Sequence, residues 1–180
     1  MLVKLASPST SPVARINTDP NIPATDQDVT AMGFGRIGAD QVASWMLLHV
    51  NVSVFDQTIC RQNYFWLAGN FPPIHGDNSQ ICAGDETGER DACFGDSGSP
   101  LVDVNDPFLQ HGIVSAGPIK DCAVPELPGI YTRTSHYADW IQKGICCMSD
   151  DPPPECMAQE QRDHHLFVFG SKRDDCAEFR

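Results

Sequence analysis

Hydrophobic residues fall in many short runs along the chain, and glycine, proline or small polar residues separate most of these runs. In residues 45–54, Val50, Val52 and Val54 alternate with polar positions, which predicts a β-strand with one buried face. Further short strands are predicted at residues 1–5, 79–83, 101–104, 112–115 and 129–132. Many short strands divided by turn residues indicate an all-β fold, an antiparallel barrel.

The remaining segments show weaker periodicity. Residues 136–144 place Tyr137, Trp140 and Ile141 at helical spacing behind Ser135, a plausible N-cap, so we expect a short helix near the C-terminal end. Residues 6–28 are rich in proline, serine, threonine and asparagine and indicate an extended connection. Cys60 is predicted to begin a loop that carries a short run of aromatic residues used for packing.

A chain of 180 residues with 41% hydrophobic content is long enough for one core and a tail. We place a globular domain at residues 1–145. Residues 146–180 differ in composition and are expected to form an acidic extension rich in cysteine and proline. A metal site built from the tail cysteines with His164 and His165 is disfavoured, because their spacing matches no zinc pattern.

The formal net charge of −12 argues against nucleic acid as a partner and is compatible with basic substrates. Eight cysteines without a C-x2-C pair favour disulfides, and hence an oxidising, extracellular location. No apolar run approaches the roughly 20 residues that span a bilayer. No signal peptide is visible either, so we expect the natural N-terminus to lie outside this sequence.

The most informative stretch is residues 91–100, which reads Asp-Ala-Cys-Phe-Gly-Asp-Ser-Gly-Ser-Pro. Its glycines and proline predict a sharp turn. A serine between glycines on such a turn can project its hydroxyl while neighbouring N–H groups point at one spot, as an acyl-transfer nucleophile requires. The alternative interpretation of this pattern alone is an ordinary loop that contains a capping serine.

Residues 91–102 resemble the nucleophile segment of chymotrypsin-like serine proteases, the trypsin (S1) family. Residues 112–117, Gly-Ile-Val-Ser-Ala-Gly, and residues 128–133, Pro-Gly-Ile-Tyr-Thr-Arg, agree with the same family in order and spacing. The resemblance covers about residues 1–145. It implies the second β-barrel of a trypsin-like domain, preceded by the last strand of the first barrel at residues 1–5.

The resemblance also implies a role for each residue of the nucleophile turn. Ser97 would be the nucleophile, and the backbone N–H groups of Gly95 and Ser97 would stabilise the oxyanion. Asp96 is next to Ser97 but faces away from it. The matching acid in the family forms a buried ion pair with an N-terminal amine that activation cleavage frees, which implies a zymogen.

Substrate specificity is implied by a second group of residues. Asp91 matches the base of the primary pocket, where a carboxylate favours Lys or Arg side chains. Gly117 and Gly129 match the pocket walls, and Ser115 matches the position that binds the substrate backbone. Protein or peptide substrates and protease inhibitors are therefore the expected partners, and neither a cofactor nor a metal is expected.

The resemblance further implies two disulfides, Cys60 with Cys82 and Cys93 with Cys122. The four tail cysteines, which lie outside the resemblance, allow two more bridges in three connectivities. Asn51-Val-Ser is an N-glycosylation sequon inside a predicted strand, which leaves its occupancy open.

Several positions depart from the family pattern. Phe34 and Ala116 each stand in place of a tryptophan, and Ser99 stands in place of a glycine. The pocket rim at residues 118–121 is altered, and Lys120 there could compete for Asp91. These changes bear on subsite preference and leave the reaction type untouched.

The largest departure concerns the general base. In the family, a histidine and an aspartate precede the serine in the chain, whereas here the first histidine is His49 in a predicted strand of the second barrel. His75, His111 and His136 do not match the catalytic position either. Two interpretations follow: a trypsin-like serine endopeptidase whose first barrel lies outside this sequence, or a non-catalytic, protease-like binding module.

Overall fold

A computed structural model describes residues 2–38 and 40–151 together with residues 154, 156, 176 and 179. Its strands are β1 (Arg15–Ile16), β2 (Asp28–Gly33), β3 (Leu48–Val54), β4 (Gln80–Gly84), β5 (Pro100–Asp103), β6 (Leu109–Ala116) and β7 (Gly129–Arg133). Its helices are α1 (Gln57–Leu67) and α2 (Ala138–Met148), the latter preceded by a 3₁₀ turn at Thr134–Tyr137. By contacts, these residues divide into a barrel unit, Val13–His136, and a second unit made of residues 1–12 and 137–180.

Six strands form a closed antiparallel barrel, which confirms the fold expected from the sequence. The order of neighbours is β2, β3, β4, β7, β6 and β5, and β5 pairs back with β2. Each of these six strands is therefore paired on both of its sides. The short strand β1 lies beside β6 in parallel, with Arg15 opposite Leu109, inside the segment for which only an extended connection was expected.

The alternating pattern of the strands produces the barrel core. Val29, Val52, Ile81, Leu101 and Tyr131 each expose no more than 1% of their surface. They come from five strands and form one hydrophobic cluster. Burying such a side chain contributes about 1.5–3 kcal/mol, so a register that puts these positions inside is strongly preferred.

Helix α1 replaces the loop that was predicted after Cys60, so that prediction was wrong. The carboxylate of Asp56 accepts hydrogen bonds from the N–H groups of Thr58 and Ile59 and caps the helix. Cys60 and Tyr64 lie one helical turn apart and are fully buried against β4 and β7 residues. The exposed Phe65 and Trp66 hide this periodicity in the sequence.

Two further local predictions were wrong. Residues 2–5 form no strand, because in the described chain they pair with no neighbouring backbone. Ser135 does not cap α2, because the Thr134–Tyr137 turn comes first and Tyr137 takes the cap position without a side-chain bond. Thr134 holds that turn to β6 by donating its hydroxyl to the carbonyls of Gln110 and His111.

The second unit contains both disulfides of the tail. Cys146 bonds to Cys156 and Cys147 bonds to Cys176, which selects one of the three connectivities that the sequence left open. Helix α2 runs through residue 145, and the division of the chain at that residue stays a prediction. Among the described residues, no helix has both the length and the apolar character needed to cross a bilayer.

The buried hydroxyl of Tyr64 gives a stability prediction. It donates to the carbonyl oxygen of Pro128 at 2.7 Å, so Tyr64→Phe leaves that buried carbonyl without its partner. We expect a loss of about 1–3 kcal/mol in the free energy of unfolding, measured by urea denaturation of the oxidised chain.

Tyr131→Phe is the matched control, because the equally buried Tyr131 hydroxyl forms no hydrogen bond of good geometry among the described residues, and the nearby Ala92 N–H already donates to Asp91. Removing it should leave stability unchanged or raise it. Equal losses in the two variants would contradict the assigned role of the Tyr64–Pro128 bond.

Candidate active site

The turn from Cys93 to Ser99 is built from short-range backbone hydrogen bonds and fastened to β6. Asp96 N–H donates to the Cys93 carbonyl at 3.0 Å, and Ser99 N–H donates to the Asp96 carbonyl at 2.9 Å. The N–H of Gly98 donates to the carbonyl of Val114, a residue of β6. The N–H of Val114 in turn donates to the carbonyl of Ser99 at 2.8 Å. A barrel strand therefore fixes the height and orientation of the turn.

Two glycines in the turn adopt backbone angles that other residues rarely reach, φ +98° at Gly95 and +88° at Gly98. The carbonyl of Phe94 accepts a 2.9 Å hydrogen bond from the N–H of Arg36. Because a trans peptide holds its C=O and N–H on opposite sides, the N–H of Gly95 points away from Arg36. The N–H groups of Gly95 and Ser97 donate to no carbonyl in the described chain.

Ser97 lies at the exposed tip of this turn, and its hydroxyl has no hydrogen-bond partner in the described chain. Acyl transfer needs a free hydroxyl and free N–H groups, and this turn contains both, so the catalytic role of Ser97 stays a prediction. The described residues bring no imidazole into hydrogen-bond contact with Ser97.

The side chain of Asp96 points away from Ser97 and holds the turn in place through two hydrogen bonds to backbone N–H groups. One carboxylate oxygen accepts from Gly35 N–H at 2.8 Å, and the other accepts from Cys93 N–H at 2.9 Å. A Cβ atom at Gly33 would lie 2.1 Å from the Asp96 carboxylate, and one at Gly35 would lie 2.5 Å from it. The Gly33-Phe-Gly35 motif thus makes room for Asp96.

Asp91 is partly buried, and backbone N–H groups surround its carboxyl. Ala92 N–H donates to it at 2.7 Å, and the N–H groups of Ala123 and Gly129 also bond to it. Burial outweighs these bonds and raises the pKa of Asp91 to about 7. A Cβ atom at Gly129 would lie 2.5 Å from the same carboxyl, so only glycine fits there without displacing Asp91.

Ser115 occupies a β-bulge at the end of β6. Val114 pairs with Tyr131 and Ala116 pairs with Ile130, so Ser115 has no opposite residue on β7. Its backbone is consequently left unpaired at an exposed position, where an extended peptide can bind. Gly117 lies two residues after Ser115, and a Cβ atom there would meet nothing within 4 Å.

Both disulfides implied for the barrel unit are present. Cys60 is bonded to Cys82 across α1 and β4, with Cα atoms 6.5 Å apart. Cys93 is bonded to Cys122, with Cα atoms 5.3 Å apart, and joins the nucleophile turn to the loop that carries Ala123. The two loops that supply N–H groups to Asp91 are therefore covalently linked.

The departures from the family pattern cause little disturbance. Ser99 has no left-handed backbone angle, and both its N–H and its carbonyl are bonded, so a glycine is not required there. Ala116 packs against the cluster beneath α1. Lys120 is exposed, and among the described residues it forms no ion pair with Asp91. In this structure it therefore does not take the place of a basic substrate side chain at Asp91.

The histidines lie elsewhere. His49, His75 and His136 are exposed, and His111 is fully buried with its Nε2 3.5 Å from an oxygen of Asp103. Burial lowers the pKa of the His111 imidazole. His164 and His165 lie outside the described residues.

The position of Tyr131 beside Asp91 was not predicted from the sequence. The hydroxyl of Tyr131 is fully buried near Asp91, and burial followed by the charge of Asp91 raises the pKa of Tyr131. Residues two apart on a strand face the same side, so Gly129 on β7 could have identified Tyr131 as its neighbour in the pocket.

A cavity opens behind the turn, on the side of the β2–β3 connection, and reaches Asp91. Its lining includes the acids Glu89, Asp91 and Asp96, the bases Arg36 and Arg90, and the smaller or apolar residues Gly33, Gly35, Ile37 and Cys93. Ser97, Ser115 and Gly117 are absent from its lining in the described chain.

Comparison with known proteins shows which family the chain belongs to. The Trypsin family model matches residues 1–141. The chain belongs to the trypsin family. It is 35% identical over 148 residues to the snake venom serine protease salmonase of Gloydius brevicauda, covering 81% of this chain and 53% of salmonase. It is also 38% identical over 141 residues to trypsin eta of Drosophila erecta, covering 78% of this chain and 49% of that protein.

A solved structure gives the same result. Neuropsin, a serine protease expressed in the limbic system of mouse brain, matches with a TM-score of 0.60 and 29% identity over 74% of this chain and 53% of neuropsin. The chain thus spans about half the length of these trypsin-family relatives.

The anchoring of Asp96 gives a prediction for this site. Asp96→Asn keeps one acceptor oxygen, so either Gly35 or Cys93 loses its partner. We expect a loss of about 1–3 kcal/mol in the free energy of unfolding. We also expect faster amide hydrogen exchange at Gly35 and Cys93.

Glu86→Gln, at an exposed acid without a described hydrogen bond, is the control and should change neither measurement. Unchanged exchange at both amides in Asp96→Asn would contradict the anchoring role of Asp96.

Proposed function

We propose that this chain carries the nucleophile, the oxyanion hole and the specificity pocket of a serine endopeptidase that cleaves after Lys or Arg. The observation that carries the proposal is the turn at Gly95–Ser97, with its free hydroxyl and two free N–H groups, in a chain of the trypsin family.

In this proposal, Ser97 Oγ attacks the carbonyl carbon of the scissile peptide while a histidine removes its proton. The oxygen of the tetrahedral intermediate accepts hydrogen bonds from Gly95 and Ser97 N–H, which are held in place before the substrate arrives. The C–N bond then breaks, the amine leaves with a proton from the histidine, and water hydrolyses the acyl-enzyme. The histidine and its orienting aspartate come from outside these 180 residues.

Asp91 supplies the preference for a basic side chain. Its carboxyl is neutral below a pKa of about 7, and a substrate cation in the pocket favours the charged form. Gly129 leaves the approach to this carboxyl open. The unpaired bulge at Ser115 and the open space at Gly117 fit the substrate backbone beside it.

The cavity behind the turn suits activation by a freed N-terminal amine. Asp96 lines that cavity beside the apolar Ile37, so an ammonium group that enters would find a carboxylate already oriented by Gly35 and Cys93.

We therefore propose a secreted zymogen that acts on extracellular proteins and is subject to protease inhibitors. Four disulfides among the described residues favour that location.

A protease-like binding module is the second candidate, and one observation favours it. The connection between β2 and β3 exposes large apolar side chains, with Val42 and Trp45 each 86% exposed and Ile37 66% exposed. Such a strip fits coverage by a protein partner.

Active-site labelling separates the two candidates. In protein purified from its source, we expect a fluorophosphonate to label Ser97, because a trypsin-like site activates that hydroxyl. Ser97→Ala should abolish labelling, whereas Ser99→Ala should retain it. An unlabelled protein with an intact mass near 19.7 kDa would instead support the binding module.

The raised pKa of Asp91 predicts how cation binding depends on pH. Benzamidinium needs the charged carboxylate, so binding releases a proton below pH 7. Affinity should rise about tenfold per pH unit up to about pH 7 and level off above it, as measured by calorimetry. Asp91→Asn should bind weakly at every pH. An affinity in the natural protein that is flat from about pH 5 to 8 would contradict the raised pKa of Asp91, and unchanged binding in Asp91→Asn would contradict its role in binding the cation.

A further inference from the structure

We propose that Asn51 carries an N-linked oligosaccharide. Asn51-Val52-Ser53 is a sequon, and no other asparagine in the sequence begins one. Proteolysis as proposed above uses none of these three residues.

The orientation of β3 points Asn51 outward. Val52 and Val54 face the core and expose 1% and 4% of their surface, whereas Asn51 is exposed on the opposite face. A bulky sugar at this position would therefore lie outside the barrel.

The hydrogen bonds of Asn51 leave the reactive atom available. Its side-chain oxygen, Oδ1, accepts a 2.9 Å bond from the hydroxyl of Thr30, the residue directly opposite on β2. Its amide nitrogen, Nδ2, has no hydrogen-bond partner in the described chain. A sugar on Nδ2 therefore leaves the Thr30 bond intact, and that bond fixes the plane of the amide and turns Nδ2 away from β2.

The folded structure also indicates when the sugar is added. The hydroxyl of Ser53, which the transferase must recognise, donates to Asp28 at 2.8 Å. The strand itself is paired on both sides, by β2 and β4. The sequon is therefore read before the barrel closes, and the finished fold only has to accommodate the product.

The reaction balances with a lipid-diphosphate-linked oligosaccharide as donor. Asn51 Nδ2 forms a bond to C1 of the first sugar, the C1–O bond to the diphosphate breaks, and Nδ2 loses one proton. The lipid diphosphate is the leaving group. The inference rests on the extracellular location proposed above, since disulfide formation and this transfer share a secretory compartment.

Peptide mass spectrometry tests the inference on the full chain secreted from eukaryotic cells. Trypsin releases residues 37–61, which contain Asn51. We expect this peptide to carry an oligosaccharide, and peptide-N-glycosidase in heavy-oxygen water to convert Asn51 to a labelled aspartate.

Asn51→Gln and Ser53→Ala should abolish the modification, whereas Ser53→Thr should retain it. Asn63→Gln is the control, because Asn63 also lies in the barrel unit but begins no sequon. An unmodified 37–61 peptide in the secreted, disulfide-bonded protein would overturn the inference, as would modification that survives Ser53→Ala. Labelling of Ser97 is measured separately, so a bare Asn51 in a labelled protein refutes only the glycan.

Discussion

The candidate site depends on one acid that takes no direct part in the proposed chemistry. The Asp96 carboxylate accepts hydrogen bonds from the N–H groups of Gly35 and Cys93. It therefore links the segment between β2 and β3, which carries Gly35, to the turn that carries Cys93 and Ser97. A charged carboxylate forms stronger hydrogen bonds with backbone N–H groups than a neutral acceptor does. This contact, together with the bond from Arg36 N–H to the Phe94 carbonyl, determines which way the Gly95 peptide faces.

The barrel positions the remaining parts of the candidate site around this turn. Strand β6 holds the turn through Val114 and presents the unpaired Ser115 one residue later, so a single strand positions both the proposed nucleophile turn and the proposed substrate-binding edge. Strand β7 places Gly129 over Asp91, and the Cys93–Cys122 bridge fixes the far loop. The closed sheet therefore holds the residues around Asp91 in fixed positions.

The sequence was sufficient for the barrel because alternation in segments such as Val50–Val54 reports directly which face is buried. It was insufficient for α1, where exposed Phe65 and Trp66 mask the Cys60–Tyr64 spacing, and for Ser135, where a 3₁₀ turn displaced the expected cap. For the site, the glycine spacing around Ser97 predicted the turn. The contacts of Asp96 with Gly35, 61 residues away in the chain, needed the fold.

The bulge at Ser115 bears on how chain length can vary in this region. Each residue inserted into β6 before Val114 would exchange the inward and outward faces, and would move the contact with Ser99 together with the unpaired position. The connection between β5 and β6, residues 104–108, lies outside both of these ladders, and its backbone contact is with Arg15 of β1. A change of length in that loop would leave the register of β6 intact, whereas a change between Ser99 and Val114 within the ladders, or between Val114 and Gly117, would displace the site.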